Sequence, residues 1–274
     1  MTATTTTSRL QAHKPGFGRL VLGEWTKLRS VRATVWSLGL LVVLDLGFTA
    51  LFTWLTVSQW SKSSPAAHAA AIADPTSLIM GTGLELGQLT ICVLGVLVIT
   101  SEYSTGMIRA SLLAVPKRLP MLAAKATVFG SLVLVLGVGV SLASFALGAP
   151  ILHSKAPVSL GDPGVLRAVV GGGMYLCVLG LFSLAVGTIV RHTAAALTGV
   201  IAFVLVVAPL TLLIPGSIGK YVHAYMPSQA GQLITQAHRG PQDLLTPWQG
   251  FGVFCAWTAA LLIVAGIMLN RRDA

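Results

Sequence analysis

The chain has 274 residues, of which 54% are hydrophobic and only 9% charged, and its formal net charge is +10. Soluble domains carry about a quarter charged residues, so this composition excludes a water-soluble globular protein. In a soluble chain the basic excess would point to nucleic acid. Here it follows from the retention of Lys and Arg on the cytoplasmic side of a membrane, and no nucleic-acid partner is expected.

Residues 1–16 are Thr-rich and basic and read as a disordered cytoplasmic tail. A cleaved signal peptide fits poorly: the first apolar run begins after residue 32 and is long enough to span, whereas a signal core is about 7–15 residues. Residues 17–32 are too charged to span. At about 100° per residue, Phe17, Leu20, Val21, Trp25, Leu28 and Val31 share one broad arc, while Arg19, Thr26, Lys27 and Ser30 lie away from it. The pattern predicts an amphipathic helix in the cytoplasmic interface, with Glu24 breaking it by falling inside the apolar arc. The helix either anchors the first span or contacts a partner.

A spanning helix needs about 20 mostly apolar residues. Six stretches between 33 and 270 qualify, at about 34–57, 78–100, 121–150, 168–190, 193–214 and 248–270, and residues 271–274 form a short cytoplasmic tail. The expected fold is therefore an all-α integral membrane protein with six transmembrane helices. Of the connections, 58–77 reads as irregular or weakly helical, and 216–247 as a short surface helix rich in interfacial aromatics such as Tyr221 and Tyr225. With the N-terminus in the cytoplasm, 13 Lys and Arg fall inside and 5 outside, which favours both termini inside.

Two acids fall within spans, Asp45 in the first and Glu85 in the second. An ionised carboxylate there costs about 2.5–3.5 kcal/mol on insertion scales, so each is expected to face the protein interior or to be neutral. Either they serve a substrate path or relay, or they make structural hydrogen bonds. Gly83 and Gly87 form a small-residue pair on the second span, Gly137 and Gly139 lie in the third, and Gly171 to Gly173 open the fourth. Such residues let helices approach, within one chain or between subunits. Pro209 is expected to kink the fifth span.

The stretch from Ser101 to Arg118 follows the second span directly. Ile108, Leu112 and Val115 have helical spacing, Ser104 or Thr105 can cap a helix, and Pro116 stops it. The expectation is a short helix at the membrane surface presenting Glu102 and Arg109 to the cytoplasm, where a soluble partner could push on it and tilt the two spans it joins.

With Gly23 to Arg29 before the first span, and the run Glu102-Tyr103, Gly106, Arg109, Pro116-Lys117-Arg118 after the second, the chain resembles the permease subunits of ABC-2-type transporters over essentially its whole length. Met107 stands where that family often has Thr. The Met226 to Gly231 loop looks like actinobacterial-type members. The resemblance implies that the Glu102, Tyr103, Gly106, Arg109, Pro116 and Arg118 stretch is a coupling helix docking on a nucleotide-binding subunit, with Glu24, Trp25 and Lys27 on the interface helix. It implies a second permease subunit, homo- or heterodimeric, a separate ABC ATPase carrying ATP and Mg, a location in the bacterial cell membrane, and export of a cargo. The apolar spans favour a hydrophobic or amphipathic cargo.

No GxxxxGK[ST] phosphate loop, HExxH or GxSxG motif occurs, so the chain is not expected to be an enzyme or to hold a cofactor of its own. Cys92, Cys177 and Cys255 each sit in an apolar run, and the six histidines lie at loops or span ends without helical pairing, so no metal site is expected. The competing class is a partner-independent secondary transporter or channel, which would be marked by repeats and broken mid-membrane helices.

Overall fold

The computed structural model describes residues 16–107, 118–240 and 243–271, and every regular element among them is a helix. In chain order these are α1 (Phe17–Ser30), α2 (Arg32–Ser58), α3 (Pro65–Ala73), α4 (Pro75–Ser104), α5 (Arg118–Leu152), α6 (Val165–Val190), α7 (Thr193–Leu213), α8 (Gly216–Ala224), α9 (Pro227–Gln232) and α10 (Pro247–Arg271). Six of them, α2, α4, α5, α6, α7 and α10, are long and apolar enough to cross a membrane. The chain is a multi-pass, all-helical membrane protein. The bundle's flanks carry large exposed apolar side chains such as Trp36, Val43, Val135 and Ile263, as a lipid-facing surface requires.

Local chemistry sets the ends. The 58–77 connection is more ordered than its composition suggests. Ser64 Oγ accepts the Ala67 N–H at 3.3 Å with Pro65 in the first turn of α3, and Asp74 Oδ1 accepts the Ser77 N–H at 3.1 Å with Pro75 opening α4. Each is an N-cap followed by Pro, which stabilises a helix start. At the other end of α4, Gly106 takes φ +70°, a left-handed turn that favours glycine, and the Thr105 N–H closes on the Ser101 carbonyl at 3.1 Å. The single surface helix expected in 216–247 is two, α8 and α9, with Tyr221 and Tyr225 exposed.

Pro209 does distort its helix. The turn Phe203–Val207 is π-helical, with the Ala208 N–H bonded to the Phe203 carbonyl, immediately before the residue that has no N–H to give.

α4 and α6 form the buried centre of the bundle, and their contact is made by small residues. A methyl on Gly95 would lie 2.6 Å from the Gly180 carbonyl oxygen, and one on Gly187 2.8 Å from Ile99. Gly137 of α5 meets Gly173 of α6 in the same way. Gly83 and Gly87 turn to α2, where added methyls would strike the Asp45 carbonyl, Thr49 and Leu41. That small-residue pair therefore serves packing within one chain. Gly139 meets nothing within 4 Å.

Candidate functional site: a buried charge cluster joining α1, α4 and α5

α1 packs on the bundle by Leu20, Val21 and Leu28, while Phe17, Leu22 and Trp25 stay exposed. The apolar arc predicted for this helix is thus divided between protein and surroundings. Glu24, the residue that broke the pattern, lies on the packed side and is 5% exposed. It meets Lys125 of α5, whose ammonium is 2.5 Å from Glu24 Oε2 and 2.8 Å from Glu102 Oε1. Lys27 closes the ring, 2.7 Å from Glu24 Oε1 and 3.2 Å from Glu102 Oε1. Two carboxylates and two ammonium groups give a formally neutral cluster, the arrangement a buried set of charges needs to offset its desolvation.

Glu102 corrects an expectation. It is buried at 5% exposure in the last turn of α4 instead of being presented outward, because its carboxylate balances Lys125 and Lys27. Its Oε2 has no hydrogen-bond partner among the described residues. Beside it lies a cavity of about 110 Å³ bordered by Leu28, Thr34, Leu94, Val98 and Met107, room for a few waters at about 30 Å³ each.

The electrostatics follow from this geometry. Burial alone would raise the Glu24 carboxyl, but attraction and hydrogen bonding from Lys125, with help from Lys27, hold it below its ordinary value. Burial would likewise lower the Lys27 ammonium, but its bonds to Glu24 and Glu102 hold it above its ordinary value.

Tyr103, next to Glu102, has Arg191 stacked over its ring at 5.3 Å. Arg191 ends α6 with a left-handed backbone (φ 60°), and its guanidinium reaches the Met268 carbonyl at 3.4 Å. Arg118, the first residue of α5, donates to the Leu269 carbonyl at 2.7 Å. The start of α5 and the ends of α4, α6 and α10 are thereby tied together at the end of the bundle that carries α1. Gly106 is exposed at the mouth of the 105–117 connection. Arg109 and Pro116, and the short helix expected over 108–115, lie outside the described residues.

No protein-family model and no curated protein matches this chain.

Sequence reasoning assigned Lys125 to the general basic excess and missed its role. The available signal was a lone cation opening an otherwise uncharged apolar run, with a lone anion at the end of the preceding span. The two intramembrane acids part company. Asp45 is 2% exposed and accepts a hydrogen bond from Ser144 of α5, which is the structural arrangement. Glu85 is exposed. Among the described residues no group of three or more His, Cys, Asp or Glu could hold a metal ion.

Proposed function

We propose that this protein is the membrane-spanning permease subunit of an ATP-driven exporter of the ABC-2 type, working with a separate ATPase subunit and a second permease subunit to move a hydrophobic or amphipathic cargo. In this reading it lies in the bacterial cell membrane with both termini in the cytoplasm, and the chain itself performs no catalysis. ATP and Mg act on the partner.

The observation that carries the reading is the charge cluster. Glu102 ends the helix that leads into the 105–117 connection, and Lys125 lies just inside the helix that leads out of it. Both bind Glu24, or its neighbour Lys27, on α1. A push on the connection from below would reach α1 and the second and third spans together, because pulling one of these helices out of the cluster would leave the buried Glu24, Glu102 and Lys125 charges without their partners. Glu102 and Lys27, one from each of the two stretches that resemble ABC-2 permeases, meet there. The concentration of basic residues at that end, with Arg19, Lys27, Arg29, Arg32, Arg118, Lys125, Arg191 and Arg271, supports its cytoplasmic orientation.

The test is recovery of the engine. An affinity-tagged chain isolated from its native membrane in mild detergent should bring down a phosphate-loop ATPase. Arg109→Ala should lower its cargo-coupled ATP hydrolysis by roughly five- to a hundredfold, the range of a coupling free energy between sites. Repeated isolation without any ATPase, or unchanged coupling in Arg109→Ala and Glu102→Ala, sinks the reading.

A further inference from the structure

The end of the bundle opposite the charge cluster holds a larger cavity, of about 880 Å³, between the end of α7, α8, α9 and the connection that follows α9. Small-ligand sites occupy about 300–1,000 Å³. Three glutamines border this one, Gln229, Gln232 and Gln236, together with Lys220 and Asp243. Leu212, Leu233 and Leu245 supply apolar wall. No Phe, Tyr or Trp is among the described residues that border it.

The walls are fixed by contacts made behind them. α8 is tied to the end of α7 through His223 Nδ1 and Thr211 Oγ1 at 2.9 Å, and to α10 through the Trp257 indole N–H, 3.2 Å from the Tyr225 carbonyl. α9 is wedged into the bundle: a methyl on Gly231 would strike Phe254 of α10, and the Ile234 carbonyl just beyond the helix lies against Gly171 of α6. Arg167 donates to the Gln236 and Ala237 carbonyls at 3.1 and 2.9 Å. The Gly240 N–H donates to Asp243 Oδ2 at 2.7 Å, and Arg239 donates to the Asp243 carbonyl at 2.6 Å.

Most of the polar groups on the cavity are not used by the fold. Among the described residues the Gln229 and Gln236 amides make no hydrogen bond and Lys220 makes no ion pair. Gln232 reaches the buried Tyr175 hydroxyl, which donates to Gln88 at 2.6 Å, so the floor of the cavity is joined to the centre of the bundle. A side-chain amide offers a donor and an acceptor from one planar group, the pair that a peptide bond needs in return. A cation and an anion on one cavity answer the two ends of a peptide, and leucines take aliphatic side chains. A sugar would leave both charges unanswered and finds no described Phe, Tyr or Trp ring to lie on.

We propose that this cavity is a binding site for a short zwitterionic peptide, its carboxylate at Lys220, its ammonium at Asp243 and its backbone amides on the glutamines. The inference goes beyond the transport reading and rests on it only for the side of the membrane that the mouth faces.

The probe is the tripeptide Leu-Ala-Leu with free termini, measured by equilibrium binding to the full chain in lipid nanodiscs. Saturable binding is expected. Lys220→Gln should weaken it about ten- to a hundredfold, the worth of one hydrogen bond to a charged group, and should leave the affinity for the C-terminally amidated tripeptide unchanged. Asp243→Asn, which keeps an oxygen for the Gly240 N–H, should weaken the free tripeptide by a similar factor and leave the N-acetylated one unchanged. The unchanged affinity for the blocked peptide shows that each variant is folded. Absence of saturable tripeptide binding in the wild type, or equal losses for free and blocked peptides in both variants, overturns the proposal. Methyl-β-glucoside binding where the tripeptide does not bind overturns it in favour of a sugar. Nanodiscs expose both faces and contain no ATPase, so peptide binding can fail while an ATPase is still recovered, and the reverse.

Discussion

The Lys125 ammonium lies between two carboxylates from different helices, 2.5 Å from Glu24 and 2.8 Å from Glu102. One lysine on the third span therefore holds both the helix that precedes the first span and the final turn of the second.

Removing that lysine should be expensive. Lys125→Met leaves Glu24 and Glu102 with only the half-exposed Lys27 between them, and breaking a buried ion pair from one side costs about 3–5 kcal/mol. The unfolding midpoint in detergent should drop accordingly. The double variant Glu24→Gln/Lys125→Met should recover part of the loss, because one of the stranded charges is gone. Equal midpoints for the single and double variants would contradict the cluster.

Stability should depend on pH at both extremes. The folded-state pKa of Glu24 is depressed below its ordinary value of 4.5, so its contribution is present above that pH and is lost as pH falls through the lower folded value. The folded-state pKa of Lys27 is raised above 10.5, so its contribution is present below that pH and is lost as pH rises through the higher folded value. Glu24→Gln should flatten the acid limb of a melting-temperature profile.

The glycines of α4 divide sharply. Gly83→Ala drives a methyl into backbone and Thr49 of α2 and should destabilise by about 1–3 kcal/mol, the usual cost of overpacking. Gly81→Ala meets nothing within 4 Å and should be neutral or stabilising by up to about 1 kcal/mol from helix propensity. Thermal unfolding of the two single variants decides it.

Ser144→Ala should cost about 1–3 kcal/mol by leaving the buried Asp45 carboxyl without its donor. Asp45→Leu with Ser144→Ala should cost less than the sum of the two single changes. An additive double-mutant cycle in unfolding measurements would mean that the two groups do not interact.

The six spans were legible because a long apolar run without charges has one stable solution in lipid. Their ends were less so. The helices extend beyond the apolar runs to Arg32, Pro75 and Arg118, since backbone bonding continues after hydrophobicity stops. Ser64-Pro65 and Asp74-Pro75 were readable as helix starts, yet the same prolines read as breaks. Glu24 was visible as an anomaly, but its partner lies 101 residues away, and nothing local links them. Asp45 and Glu85 looked alike as lone acids in spans. The bracketing of Glu85 by Gly83 and Gly87 held the distinction, because a helix that packs by its glycines turns the residue midway between them outward.

The π-helical turn at Phe203–Val207 inserts one residue more than an α-helical turn accommodates. Everything after it is rotated by about 100° relative to an unbroken helix. Leu210, Leu212 and Leu213 stand exposed on the last part of this span. Were the extra residue absorbed into regular α-helix, the end of the span would turn by that angle about the axis while the first half kept its seat. The π-turn thus decides which faces the two halves of the fifth span present to their neighbours, at a point where Pro209 has removed one backbone bond from the helix.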